Sequence, residues 1–287
     1  MTLATDRYRI IHGDCLEEMR KFEDGSFDAI ITDPPYPEID REYGRMTESE
    51  WTELMHAVVR ESRRLVGGHG SAVFILKPNS RKIGSLRPWL YDFMSWVCHE
   101  WNVIQDVWWE NTATAPTFHC TSRAGLCKPS LAACVWVGDP DSYRNQAAVL
   151  NPPSASTRAM DLNKDILRHM NSGHMINDGR IARSALARGG VAPMNVLLIA
   201  NANSTNSSAA YGHPAGTPYR LLAWWCRYLT PPGGLILDPF CGAGTTLVAA
   251  TDQGFRAVGI ERKESYVEMT RRRLENVAPL FRGGDAA

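Results

Sequence analysis

The sequence predicts an α/β fold built on a mostly parallel sheet, and three observations lead there. Short apolar runs alternate with amphipathic helical stretches, giving the strand, helix, strand order of a parallel sheet. One run, Phe27-Asp28-Ala29-Ile30-Ile31-Thr32, closes on Asp33-Pro34-Pro35-Tyr36. Another, Leu235-Ile236-Leu237-Asp238, opens into a glycine turn and then a helical stretch. The 287 residues suffice for one large α/β domain or two small ones, with a sizeable core and no need of staples.

Taken in order, Tyr8-Arg9-Ile10-Ile11 reads as a short strand, followed by His12-Gly13-Asp14-Cys15. Leu16 to Phe22 has helical spacing, and Asp24-Gly25-Ser26 turns into the strand that ends at Asp33. Pro37 to Met46 is a polar loop bordering that strand end. Thr47-Glu48-Ser49-Glu50 is a capping box, opening a helix to about Leu65 with Trp51, Leu54, Met55, Val58 and Val59 on one face. Gly67-Gly68 ends it, and Ser71 to Leu76 is the next strand. Leu86 to Val97 reads as a helix, Trp101 to Trp109 and Leu131 to Val137 as strands. The stripe of Trp89, Trp96, Trp101, Trp108 and Trp109 has the spacing of core packing rather than of a base-stacking surface.

The texture changes at Gly138-Asp139-Pro140-Asp141. Residues 138–210 read as an irregular insertion between 1–137 and 211–287. Its basic side chains Arg144, Arg158, Lys164, Arg168, Arg180, Arg183 and Arg188 face Asp139, Asp141, Asp161, Asp165 and Asp178; seven against five leaves about +2. Asn201 to Ala210 reads as a flexible connector. Beyond it, Thr217-Pro218 precedes a helix at Tyr219 to Tyr228. Pro231-Pro232-Gly233-Gly234 turns into the strand ending at Asp238. Leu247 to Asp252 is helical, Arg256 to Ile260 a strand ending in Glu261, and Lys263 to Asn276 a last helix.

Composition excludes little. Hydrophobic residues make up 44% and charged residues 22%, ordinary for a soluble globule. No apolar run reaches the roughly 18 residues of a membrane span, and Met1 to Asp6 lack the pattern of a signal peptide, so a cytoplasmic location is expected. Basic and acidic residues balance at 31 each, so a polyanionic partner would have to meet a local basic face. Seven cysteines without a C-x-x-C pair point to reduced thiols. His119, Cys120, Cys127 and Cys134 have the ligand types for zinc, but their spacing is too wide for a knuckle and Cys134 lies in an apolar run. No metal is expected.

The chemistry concentrates at two strand ends. At Asp33-Pro34-Pro35-Tyr36 neither proline can donate a hydrogen bond, and Pro35 holds Pro34 extended. Their carbonyls are expected to stand as rigid acceptors beside the Asp33 carboxylate, with the Tyr36 ring as a flat face. Such a cluster suits a planar group with an exocyclic amine, meaning a nucleobase; the competing account is an ordinary strand-ending turn. The second stretch, Asp238-Pro239-Phe240-Cys241-Gly242-Ala243-Gly244-Thr245-Thr246, is a strand, glycine turn and helix, with Glu261 at the next strand's end to accept from ribose hydroxyls. The third glycine of the dinucleotide fingerprint and the lysine of a P-loop are both missing. An adenosine ligand without a diphosphate is expected, and S-adenosylmethionine fits.

Together these residues resemble the amino-group DNA methyltransferases, which modify adenine at N6 or cytosine at N4. Asp33-Pro34-Pro35-Tyr36 matches the catalytic motif, Leu237 to Thr246 the cofactor motif, and Gly13-Asp14-Cys15-Leu16-Glu17 a further cofactor-contacting segment. The order, catalytic motif before cofactor motif, is that of the circularly permuted beta group, whose variable segment recognises the target sequence. The resemblance covers roughly 1–137 and 211–276. It implies a Rossmann-like S-adenosylmethionine-dependent methyltransferase fold: a seven-stranded, mostly parallel sheet with helices on both faces. It assigns Asp33, Pro34, Pro35 and Tyr36 to catalysis. Asp14 and Cys15 go to the cofactor adenine and Glu261 to the ribose. Asp238, Pro239, Phe240, Gly242, Gly244 and Thr245 go to the methionine end, with Thr217 and Pro218 beside them. Within 138–210, Arg144, Arg158, Lys164, Arg168, Arg180 and Arg183 become nucleic-acid contacts. The implied substrate is double-stranded DNA with the target base flipped out. Adenine is preferred because cytosine-modifying relatives in this permutation more often carry serine in place of Asp33. N4-cytosine, RNA bases and an inactive nucleic-acid-binding subunit stay open, as do a homodimer and a companion restriction nuclease.

Overall fold

The computed structural model describes residues 2–4, 7–40, 44–113, 125–127, 129–160, 163–170, 175–201 and 216–277. In chain order the strands are β1 (Thr2–Ala4), β2 (Tyr8–His12), β3 (Ala29–Thr32), β4 (Ser71–Leu76), β5 (Ser80–Lys82), β6 (Ser85–Leu86), β7 (Val103–Glu110), β8 (Leu131–Gly138), β9 (Leu167–His169), β10 (Met175–Asn177), β11 (Val196–Leu198), β12 (Leu235–Asp238) and β13 (Arg256–Glu261). The helices are α1 (Cys15–Met19), α2 (Glu48–Val66), α3 (Trp89–Glu100), α4 (Ala155–Arg158), α5 (Asp178–Ala187), α6 (Tyr219–Leu229), α7 (Thr245–Asp252) and α8 (Glu264–Val277).

The main sheet runs β1-β2-β13-β12-β3-β4-β8-β7-β11. Five of its pairings are parallel; β1 against β2 and β8 against both β4 and β7 are antiparallel. The seven strands from β2 to β7 are those expected, and the short β1 and β11 extend the sheet to nine at its edges. β3 and β4 are buried on both faces, which explains their unbroken apolar runs. Ile30, Ala72, Phe74 and Leu76 join one cluster with Trp51, Met55 and Val58 of α2 and Leu90 and Phe93 of α3. The other face is covered by α6, α7 and α8, where Trp136 of β8 packs on Trp225 and Tyr228 of α6 at ring distances of 5.9 and 5.3 Å.

Local signals fixed several boundaries. The capping box is made: Thr47 Oγ1 accepts from the Glu50 N–H at 3.2 Å while Glu50 Oε2 accepts from the Thr47 N–H at 2.8 Å. The helix expected from Leu16 is a single short one, α1, capped by Asp14, whose Oδ1 accepts from Leu16 N and Glu17 N. The helix expected from Leu86 starts only at Trp89, because residues 80–86 form a hairpin that its helical spacing hid. Trp89, Trp101 and Trp109 are buried, so the tryptophan stripe serves packing.

The chain divides into a larger unit, 1–144 with 195–287, and a smaller one, Asn145–Met194. The boundaries differ from 138–210 because the 138–144 segment stays with the sheet and β11 pairs with β7 as its edge strand. The smaller unit is less irregular than expected. It holds the β9–β10 hairpin and α5, whose N-cap Asn177 accepts from Arg180 N. Most of Asn201–Ala210, with His119 and Cys120, lies outside the described residues. Among the described residues no His, Cys, Asp or Glu cluster could hold a metal, and no helix is long and apolar enough to cross a membrane.

Candidate active site

Parallel strands deliver their carboxyl ends to one rim, and in open α/β sheets ligands bind there. The register fixes which residues meet. Glu261 of β13 lies opposite His12 of β2, Asp238 of β12 opposite Gly259 of β13, and Leu237 opposite Ile30 of β3. Along the rim therefore come Asp14, Glu261, the glycine turn after Asp238, then Asp33. The two motifs sit on neighbouring strands, which lie about 4.8 Å apart. A direct bond joins them: Thr32 Oγ1 donates to Asp238 Oδ1 at 2.7 Å.

Asp33 is held from two directions. The Tyr36 hydroxyl donates to Oδ1 at 2.7 Å, and the Thr217 hydroxyl donates to Oδ2. Thr217 is only 8% exposed. Two donors on opposite oxygens fix the carboxylate's rotation and leave it further acceptor sites. The surrounding backbone is equally constrained. Trp51 Nε1 donates to the Pro35 carbonyl at 2.6 Å, and Asn79 Nδ2 to the Pro37 carbonyl at 2.8 Å. The expectation that both proline carbonyls stand open is thus corrected. Pro35's is taken by the indole, and among the described residues only Pro34's has no donor. Tyr36 is not solely a flat face either; its hydroxyl belongs to Asp33 and its ring meets Trp89 edge-on at 6.2 Å.

Asp238 lies beneath, 3% exposed. Burial raises its pKa to about 6 against the hydroxyls of Thr246 and Thr32 and the Phe240 N–H, which favour the charged form; the charge of Asp33 adds to the rise. It joins β3 to the glycine turn, as it accepts from both Thr32 and Phe240 N. Glu261 grips the turn from the other side. Its Oε2 accepts from Gly242 N at 2.9 Å and its Oε1 from Lys263 N at 2.7 Å, while burial raises its pKa.

The second glycine of the turn has a packing reason. Gly244 has φ +74°, and a Cβ there would stand 2.2 Å from Thr270 Cγ2. Packing of α8 against the turn demands glycine at this position. Thr270 also donates to the Gly242 carbonyl at 2.9 Å. Arg273 is 2% exposed; its Nη1 donates to the Ala243 carbonyl and to Thr245 Oγ1. The run Arg271-Arg272-Arg273 on α8 is therefore split. Arg271 and Arg272 pair with Glu268, and Arg273 staples the turn from inside. Helical spacing from the buried Tyr266 and Thr270 to Arg273 and Leu274 was the signal that could have found it.

Cys15 and Cys241 are buried, and burial pushes the Cys15 thiol up to about 12 and the Cys241 thiol well above its usual value. Neither is a nucleophile at neutral pH. Pro218 starts α6 directly after Thr217. Of the basic candidates, Arg144 belongs to the larger unit and donates to the Pro140 carbonyl. In the smaller unit Arg168 is paired with Asp178 at 2.9 Å and Arg183 with Asp165 at 2.6 Å, whereas Arg158, Lys164 and Arg180 are exposed.

The geometry is that of a two-part rim, a glycine turn at one strand end and a cluster of fixed acceptors at the next. The N6/N4 DNA methylase family model matches residues 27–272, and the chain belongs to that family. It is similar to the type II methyltransferase M.ScaI of Streptomyces caespitosus, 25% identical with 93% of this chain and 81% of the relative covered. The type II methyltransferase M2.DpnII of Streptococcus pneumoniae is 24% identical, covering 93% and 89%. Among solved structures, the PvuII DNA methyltransferase (cytosine-N4-specific) matches with a TM-score of 0.73 at 19% identity, covering 96% of this chain and 92% of that one. The M1.HpyAVI–SAM complex matches at 0.58 and 19% identity, covering 93% and 98%.

Proposed function

We propose that this DNA methylase transfers a methyl group from S-adenosyl-L-methionine to N6 of an adenine extruded from duplex DNA. The observation that carries the reading is the Asp33 carboxylate, oriented by Tyr36 and Thr217, on the strand beside the glycine turn.

The cofactor side suits this donor. Asp14, Glu261 and Asp238 make the rim acidic, which favours a cation, an amine or hydroxyls and disfavours a diphosphate. Glu261, already fixed by Gly242 and Lys263, would hold the ribose hydroxyls. The Asp14–Cys15 corner would hold the adenine, and the turn from Asp238 and Pro239 through Phe240 to Thr245 the methionine end. Arg273 and Thr270 keep that turn in shape. S-adenosylmethionine, when bound, supplies an electrophilic methyl on a sulfonium cation.

On the substrate side, an adenine amino group is a weak nucleophile because its lone pair is delocalised into the ring. Asp33 and the Pro34 carbonyl accept from its two hydrogens and localise that pair. Positive charge develops on nitrogen during transfer, and acceptors fixed beforehand stabilise it without reorganisation. Tyr36 and Thr217 supply that fixing, so Thr217 is read here as serving Asp33 rather than the cofactor. Alignment of the two reactants at adjacent strand ends supplies a further share. The base must leave the stack, at a cost of a few kcal/mol, and the Tyr36 ring is its resting face. The 145–194 unit, with exposed Arg158, Lys164 and Arg180, is read as the target-recognition module.

The second reading is N4-cytosine, supported by the likeness to the cytosine-N4-specific PvuII enzyme. Nucleoside mass spectrometry of plasmid DNA incubated with the protein and S-adenosylmethionine tests both. N6-methyladenine is the expected product; N4-methylcytosine installs the second reading, and no transfer defeats both.

A further inference from the structure

Between β4 and α3 the chain makes a small hairpin, β5 paired with β6 through Ser80–Leu86 and Lys82–Ser85. All of β5 is exposed, as is the tip, where Gly84 has φ +76° and open space around it. Ile83 is 55% exposed and Leu86 50% exposed. An isolated two-stranded hairpin with no packed face is marginal in water, so its anchors matter. The Arg87 N–H donates to the Asn79 carbonyl at 3.0 Å, and Arg87 Nη1 donates to Glu48 at 2.6 Å.

Those anchors are the ones that hold the Asp33 loop. Asn79, directly before the hairpin, donates to the Pro37 carbonyl and accepts from Trp89 Nε1 at 2.9 Å. Trp89, shortly after it, packs on Tyr36 and on Trp51, which in turn holds Pro35. The hairpin thus rises from the carboxyl rim beside the acceptor cluster, bracketed by residues that touch it. Its charge suits a polyanion. Lys82 has no ion pair among the described residues, and Arg81 is 4.0 Å from Glu48 with its side chain 61% exposed.

We propose that this hairpin is a DNA-contacting wedge: Ile83 enters the stack at the space an extruded base vacates, and Arg81 and Lys82 contact the flanking phosphates. Apolar tips between base steps, flanked by cations, are how proteins hold a distorted duplex open. The inference rests on the DNA methyltransferase reading and extends it to a segment outside both motifs.

The test compares wild type with Ile83→Ala and with Arg81→Gln/Lys82→Gln. The duplex carries the target site identified by sequencing modified DNA from expressing cells, with the target base either paired or opposite an abasic position. Wild-type transfer to the paired duplex checks the underlying reading by itself; its absence defeats that reading and leaves nothing for the wedge to assist. Given transfer, Ile83→Ala is expected to lose about tenfold on the paired duplex and regain near wild-type rates opposite the abasic position, where extrusion costs least. The double variant is expected to lower the salt dependence of DNA binding by about one to two counterions. Calorimetric affinity for S-adenosylmethionine serves as the folding control and is expected to stay unchanged. Equal losses on both duplexes, no loss on either, or an unaltered salt slope overturns the proposal.

Discussion

Replacing Thr217 by valine removes one hydroxyl and keeps the shape of a nearly buried side chain. In the wild type that hydroxyl donates to Asp33 Oδ2 while Tyr36 donates to Oδ1 at 2.7 Å. A hydrogen bond to a charged group contributes about 1.5–3 kcal/mol. If it is realised as orientation of the acceptor in the transition state, its loss corresponds to about a ten- to hundredfold fall in the methyl-transfer rate. Single-turnover kinetics measure that rate directly, and calorimetry measures the S-adenosylmethionine Kd. Thr217→Val is expected to lower the rate with the Kd unchanged, and Thr217→Ser to restore most of it. A raised Kd with an unchanged rate would return Thr217 to the cofactor, as the family resemblance implies, and refute the clamp.

Asp33→Ala is expected to abolish transfer while S-adenosylmethionine binding persists; lost binding in a folded variant would contradict its place in the acceptor cluster. Arg273→Leu leaves the Ala243 carbonyl and Thr245 hydroxyl without this donor inside the protein. A loss of about 1–3 kcal/mol of stability, together with weaker cofactor binding by calorimetry, is expected. Unchanged affinity would mean that the turn holds itself. Asp238 binds its proton more tightly folded than unfolded, since its pKa rises from 3.8 to about 6. Ionising it in the folded state therefore erodes stability as pH climbs from about 4 through 6, and stability is greater below that window. Asp238→Asn removes this titration, so the pH dependence of its thermal midpoint between about 4 and 7 should differ from wild type by a slope of that sign. Parallel curves would refute it.

The motifs were legible because each is local. Two prolines after an acid, a glycine turn after a strand, and Thr47 three residues before Glu50 write their geometry in adjacent side chains. Strand order could be expected only through family resemblance, since nothing in β3 or β12 alone says they are neighbours; the observed pairing supplies that. The partners of the site residues were hidden altogether. Thr217 reaches Asp33 across 184 positions, and Trp51 reaches Pro35 from a helix whose periodicity marked it only as core. Arg273 sits among arginines that look solvated in sequence, and only α8's rotation against the glycine turn turns one of them inward. Composition and periodicity thus determined which segments form strands and which acids could do chemistry. The sheet's register decided which of those acids share a rim, and side-chain packing decided which are held still, because burial and hydrogen bonding depend on what arrives from elsewhere in the chain.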